Sequence, residues 1–91
     1  LGIGYTHYRI ISSGYGLLVA KNLRAANFAV TEVSANGLKG AVEVLHCSVL
    51  HKYNKEVERI IIDTDPDAFI TAENIRQIDH GFWHQKNKVN V

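Results

Sequence analysis

Histidines, one cysteine and a run of aspartates are the side chains here able to do acid–base, nucleophilic or metal chemistry. Their spacing decides whether they do. His80 and His84 are four apart, the helical spacing of paired metal ligands. Gly81 lies between them, and the segment follows a strand pattern where no well-formed helix starts. His46 and His51, five apart on or beside a strand, point to opposite faces of it. A zinc site takes about three or four protein ligands, and no Cys, Asp or Glu pattern supplies the rest. The sequence therefore predicts no metal site and reads the histidines as surface or packing residues. Cys47 shares a strand phase with Leu45 and Val49, which predicts a buried, inert thiol and not a nucleophile. Asp63, Asp65 and Asp67 could form a carboxylate pair or cation site, but they straddle Pro66 at a helix end, where aspartates satisfy turn amides. No nucleophile–base pair and no cofactor fingerprint is present. No catalytic residue and no cofactor is assigned, and an enzyme is the least supported class.

Gly37-Leu38-Lys39-Gly40 has the GxxG form of a loop that clamps a nucleic-acid backbone. That loop joins two helices, whereas this tetrapeptide joins two strand-like segments. It reads as a hairpin turn with Asn36-Gly37 where positive φ is wanted. Its glycine amides and Lys39 could also form an anion-binding concavity. A formal net charge of +1 argues against a dedicated nucleic-acid binder, and Lys86 and Lys88 read as a solvated tail.

These residues need elements to position them. The chain has 91 residues, 46% hydrophobic and 21% charged, enough for one folded domain with a single core. One cysteine excludes an internal disulfide and fits a reducing compartment. No apolar run approaches the ~18–20 residues that span a bilayer, and no signal-peptide pattern opens the chain. The absence of methionine predicts a fragment of a longer product. Tyr5–Ser12 reads as a strand and Ser13-Gly14 as the start of a helix running to about Asn27. Leu17, Ala20, Leu23 and Arg24 lie near one stripe of that helix. Phe28–Ser34 reads as a second strand, Ala35–Gly40 as a connection, and Ala41–Leu50 as the longest strand. Asn54 is a plausible N-cap for a helix carrying Val57, Ile60, Ile61 and Thr64. Asp65-Pro66 ends that helix, and Ala68–Ile78 forms the last strand.

The order strand, helix, strand, strand, helix, strand gives a ferredoxin-like βαββαβ sandwich of the α+β class: a four-stranded antiparallel sheet with two helices on one face. Along Ala41–Leu50 neither phase is cleanly polar, as a solvated face should be. The uncovered sheet face therefore predicts a homo-oligomer, against the alternative of an ordinary half-apolar surface.

Gly14-Tyr15-Gly16-Leu17, Asn27-Phe28-Ala29-Val30-Thr31-Glu32-Val33, Gly37-Leu38-Lys39-Gly40-Ala41-Val42 and Asp65-Pro66-Asp67-Ala68-Phe69-Ile70-Thr71 together resemble the bacterial domain of unknown function 2179. Ile75-Arg76-Gln77-Ile78 and Gly81-Phe82 extend the match, which runs from about Tyr5 to Phe82. Where similar proteins read Gly-x-Gly-x-x-Gly in the hairpin, this chain has Ala35 at the first position and keeps Gly37 and Gly40. The family is a cytosolic C-terminal module of small multi-spanning inner-membrane proteins, some YitT-like, with no established activity. The resemblance implies a shape related to PII-type signalling and ACT-type regulatory domains. There, ligands lodge between subunits near the strand 2–strand 3 connection, which points to Thr31, Glu32, Ser34, Asn36, Gly37, Lys39 and Gly40 as ligand-binding residues. It also implies that the chain begins just after the last transmembrane helix, so that any membrane segment lies outside it. Two functions are expected to compete. One is a regulatory module in which a small anion or nucleotide orders Ala35–Gly40; the other is an assembly domain without a ligand.

Overall fold

The structure, a computed structural model, describes residues 3–77. Strand β1 covers Ile3–Ser12, helix α1 Gly16–Ala25, β2 Thr31–Gly37, β3 Gly40–Leu50, α2 Asn54–Thr64 and β4 Phe69–Gln77, with a 3₁₀ turn at His51–Tyr53 leading into α2. The sheet order is β2-β3-β1-β4, with every neighbouring pair antiparallel. This is the expected ferredoxin-like α+β sandwich. Its central strands are β3 and β1, so β2 is an edge strand.

The helix-facing residues of the sheet are Tyr8 and Ile10 of β1 and Leu45, Cys47 and Val49 of β3. They bury against Val19, Ala20 and Leu23 of α1 and Val57 and Ile61 of α2. Each large aliphatic side chain so buried contributes about 1.5–3 kcal/mol relative to exposure. Tyr8 lies in this core, and its hydroxyl donates to Glu58 Oε2 at 2.6 Å. Burial first, and then the Glu58 carboxylate, push the phenol above its ordinary range.

Helix α1 differs from expectation in phase and in length. Its buried stripe is Gly16, Val19, Ala20 and Leu23, while Leu17 is 62% exposed and Arg24 faces out. The phase follows from a backbone approach: a Cβ on Gly16 would lie 2.3 Å from Glu43 Cβ, so only glycine lets α1 settle on β3 there. The helix stops at Ala25 because Asn27 takes a left-handed conformation, φ 72°. Phe28 N–H then donates to Leu23 O at 3.0 Å and Asn27 N–H to Arg24 O at 2.9 Å. That is the Schellman pattern, with asparagine in place of the usual glycine. Residues 28–30 consequently form a connection, and β2 begins at Thr31.

Helix α2 has Asn54 as its first helical residue and not as its cap. Among the described residues the buried Asn54 Oδ1 finds no partner, since the preceding 3₁₀ turn already leads the chain into the helix. At the other end the expected stop occurs. Asp65 N–H donates to Ile61 O at 2.8 Å and Ala68 N–H to Asp65 O at 3.1 Å. The Asp65 carboxylate, 5% exposed, accepts from Ser12 Oγ at 2.5 Å and from Asp67 N–H at 3.0 Å. Asp65 thereby ties the end of β1 to the turn that launches β4. Asp63 lies on the exposed side of α2, 3.8 Å from Arg59. The aspartates are turn and surface residues, as their position beside Pro66 predicts.

Candidate functional site

The connection between β2 and β3 is shorter than expected. Ala35, Asn36 and Gly37 continue β2 and pair with Val42, Ala41 and Gly40. Only Leu38 and Lys39 form the turn, and Leu38 is fully exposed. The positive φ falls on Gly40, at +124°, and not on Asn36 or Gly37. The expected connection Ala35–Gly40 is thus cut to a two-residue hairpin, its outer residues being taken into β2 and β3.

The pleat then divides the seven expected ligand residues. Thr31 pairs with His46 on the uncovered face. Glu32 and Ser34 point to the helix side, where Arg24 holds Glu32 in an ion pair at 2.5 Å and also donates to Val30 O at 2.8 Å. Ser34 Oγ lies 3.4 Å from both Glu43 carboxylate oxygens. Asn36, Gly37, Lys39 and Gly40 stand at the exposed tip. The seven thus lie on the two faces of the sheet and at its tip.

A cleft does lie beside the hairpin. Ser12, Ser13, Gly14, Gly16 and Leu17 form one wall and Ala41, Val42 and Glu43 the other, around about 230 Å³. Helix α1 begins in this cleft with no side-chain cap and no acidic residue in its first turn. Tyr15 N–H, just ahead of the helix, donates to Ser12 Oγ at 3.1 Å. The free first-turn amides and the positive end of the helix dipole are features that receive anions. A larger cavity of about 400 Å³ sits at the other end of β3, lined by Tyr5, Phe28, Leu50, Tyr53 and Glu56 among others. Phe28 and Tyr53 meet there edge to face, their centroids 5.7 Å apart. The sequence offers no signal for it, because it arises where β2 starts late and leaves the end of β3 unpaired on that side, with β1 alone beside it.

The uncovered sheet face is patterned. Val33, Val44, Ile11 and Phe69 form one apolar row across all four strands, and Leu50, Tyr5 and Ile75 form another. Val33 is 48% and Phe69 61% exposed. Between the rows runs a polar stripe: Thr31, His46, Arg9 and Thr71, then Ser48, His7 and Glu73. His7 Nδ1 lies 2.8 Å from Ser48 Oγ, and His7 Nε2 lies 3.1 Å from His46 Nδ1. Beside the two rings is a cavity of about 240 Å³ lined by His7, Arg9, His46, Thr71 and Glu73. The His7–His46 contact was not foreseen. The residues are far apart in sequence, and only the β1–β3 register, which opposes Arg9 to His46 and His7 to Ser48, brings them together.

Cys47 is buried on the opposite side of the same strand, and burial pushes its thiol up to about 11. Its burial is what the strand phase predicts. Among the described residues no group of three or more His, Cys, Asp or Glu side chains is gathered as for a metal ion. No helix among them is long and apolar enough to cross a membrane. His80, His84, Phe82, Trp83, Lys86 and Lys88 lie outside the described residues.

The sandwich defines a class first: its shape is that of the PII-like proteins. CPII from Thiomonas intermedia K12, in its structure bound to ADP, AMP and acetate, superposes with a TM-score of 0.72 at 12% identity, over 85% of this chain and 91% of that one. A functionally unknown protein from Pediococcus pentosaceus superposes with a TM-score of 0.75 at 12% identity, over 88% and 99%. The chain belongs to the DUF2179 family, described as an uncharacterized protein conserved in bacteria, which matches residues 28–79. A DUF2179 structure from Eubacterium ventriosum is 24% identical, with a TM-score of 0.59 over 75% of this chain and 97% of that one. The UPF0316 protein of Staphylococcus aureus strain Newman is 35% identical over 83 residues, covering 91% of this chain and 42% of the relative. The chain thus spans less than half the length of the curated relatives it matches.

Proposed function

We propose that this domain is a regulatory, ligand-binding and oligomerisation module of a longer bacterial membrane protein, working on its cytosolic side, and not an enzyme. The observation that carries the reading is the PII-like fold, shared with a protein whose structure holds ADP and AMP. In this chain the cleft between Ser12–Leu17 and Ala41–Glu43 is the proposed phosphate-binding wall, with Lys39 at the adjoining tip. Backbone amides of the first turn of α1 would face the phosphate. At about 230 Å³ the cleft is smaller than the roughly 300–1,000 Å³ of ordinary ligand pockets.

Thermal unfolding with AMP, ADP and ATP tests this. A nucleotide at tenfold its Kd stabilises the folded chain by about 1.4 kcal/mol, and Lys39→Ala should shrink that gain. Absence of stabilisation by every nucleotide at millimolar concentration refutes the ligand part. The two apolar rows of the sheet face favour a second reading, an assembly domain without a ligand. It predicts an oligomer by light scattering and no nucleotide response; a monomer at high concentration removes it.

A further inference from the structure

We propose that His7 and His46 form half of a site for a divalent transition cation of the zinc type, and that a second copy of this chain completes it with the same two residues. The proposal goes beyond the nucleotide reading, because it uses the uncovered sheet face and nothing from the hairpin cleft.

The facing ring nitrogens are 3.1 Å apart. Two nitrogens each about 2.0–2.1 Å from a tetrahedral zinc stand about 3.3–3.4 Å apart. The rings therefore need to part by a few tenths of an ångström and to tilt so that both lone pairs converge on the ion. Both atoms must offer lone pairs to the metal. For His7 that requires the proton on Nδ1, where Ser48 Oγ stands 2.8 Å away to accept it. Such an outer partner fixes the tautomer and the ring orientation of a metal-binding histidine. For His46 the proton moves to Nε2, and no net proton is released from the neutral pair. Imidazole suits zinc, copper and nickel. Two nitrogens leave a tetrahedral set half empty, and among the described residues no third ligand is gathered beside them. A second copy fits the vacancy for two reasons. The pair lies in the polar stripe between two apolar rows that a docked sheet would cover. The stripe also carries one arginine, Arg9, and one glutamate, Glu73, so two copies meet without net charge.

The test is sedimentation of the full chain across a dilution series, in EDTA or with added zinc chloride, together with calorimetric zinc titration. Zinc should hold the assembly together at concentrations where the EDTA sample dissociates. Binding should saturate at about one zinc per two chains, as four imidazoles around a tetrahedral ion require. His7→Gln and His46→Gln should each abolish both effects while leaving the far-UV spectrum unchanged. Ser48→Ala should weaken binding by about tenfold or more, and His80→Ala/His84→Ala should retain it. Four results overturn the proposal: no zinc binding, one zinc per chain without a change in assembly, a response that survives His7→Gln, or one that needs His80 and His84. The assembly state in EDTA reports the oligomer reading separately, and the nucleotide response reports the cleft.

Discussion

Asp65→Ala should be among the most destabilising single changes on the polar side of this fold. The Asp65 carboxylate is 5% exposed and uses both oxygens, one for the Ser12 hydroxyl at 2.5 Å and one for the Asp67 amide at 3.0 Å. Hydrogen bonds to charged groups contribute about 1.5–3 kcal/mol each, and an orphaned buried donor costs about 1–3 kcal/mol. Ser12 is only 2% exposed, so water cannot replace the lost acceptor. The two bonds share one side chain and do not add fully, which gives about 3 kcal/mol for Asp65→Ala. Asp65→Asn keeps one acceptor oxygen and should cost about half as much. For a domain of this size each kcal/mol lowers Tm by roughly 4–8 °C, so the alanine variant should melt roughly 12–24 °C lower. Urea unfolding followed by circular dichroism supplies the free energies at unchanged slope. The double variant Ser12→Ala/Asp65→Ala should then be less destabilised than the sum of the singles by about 1–2 kcal/mol. A loss below about 0.5 kcal/mol, the range of ordinary surface changes, or strict additivity of the two singles would refute the claim that Asp65 anchors β1 to β4.

Two further outcomes are expected. Gly16→Ala places a Cβ 2.3 Å from Glu43 Cβ, where the neighbour is fixed to the backbone and cannot swing away. Overpacking of this kind costs about 1–3 kcal/mol, whereas Gly14→Ala, with nothing within 4 Å of the new atom, should be neutral or slightly stabilising in the same urea assay. Cys47 should resist alkylation in the native state at pH 8 and react once unfolded. Its folded thiol binds its proton more tightly than the unfolded one, so its contribution to stability is complete below about pH 9.0 and is lost as pH rises to about 11. Cys47→Ala should reduce the fall in Tm across that window.

What the sequence reveals about this fold is set by how local each decision is. Cys47 could be placed because strand alternation is a property of neighbouring residues, and Leu45, Cys47 and Val49 all bury as that alternation requires. The stop at Asp65-Pro66 was equally legible, since proline restricts the residue before it. The phase of α1 was not. Leu17 looks as apolar as Val19, and the choice between them is made by Glu43 of β3, whose Cβ admits only a glycine above it. β2 starts at Thr31 and not at the expected Phe28 for a related reason. Phe28-Ala29-Val30 has strand composition, but Asn27 in the left-handed region spends those residues on leaving the helix. The His7–His46 contact required one number that no local pattern contains, the β1–β3 register. Given that Tyr5 pairs with Leu50, every other pair along the two strands follows, including the one that sets His7 against Ser48.

The same register bears on how a ligand and an assembly would communicate in the proposed function. The cleft and the face are built from alternate residues of the same two strands. Ser34 and Glu43 stand opposite each other on the helix side, and Val33 and Val44 stand opposite each other one residue along, on the uncovered side. A two-residue hairpin keeps these pairs in step, because β2 cannot slide on β3 without changing the faces of all its side chains. An anion that entered the cleft would repel the Glu43 carboxylate and weaken its contact with Ser34, and a tilt of the edge strand that followed would move it as a unit. That movement would carry Val33 with it, at the margin of the apolar row where a second copy is proposed to dock. A rigid hairpin thus offers coupling that a slack loop would absorb. In the proposed function, the shortness of the β2–β3 connection favours strand displacement over loop ordering as the route from binding to a change of assembly.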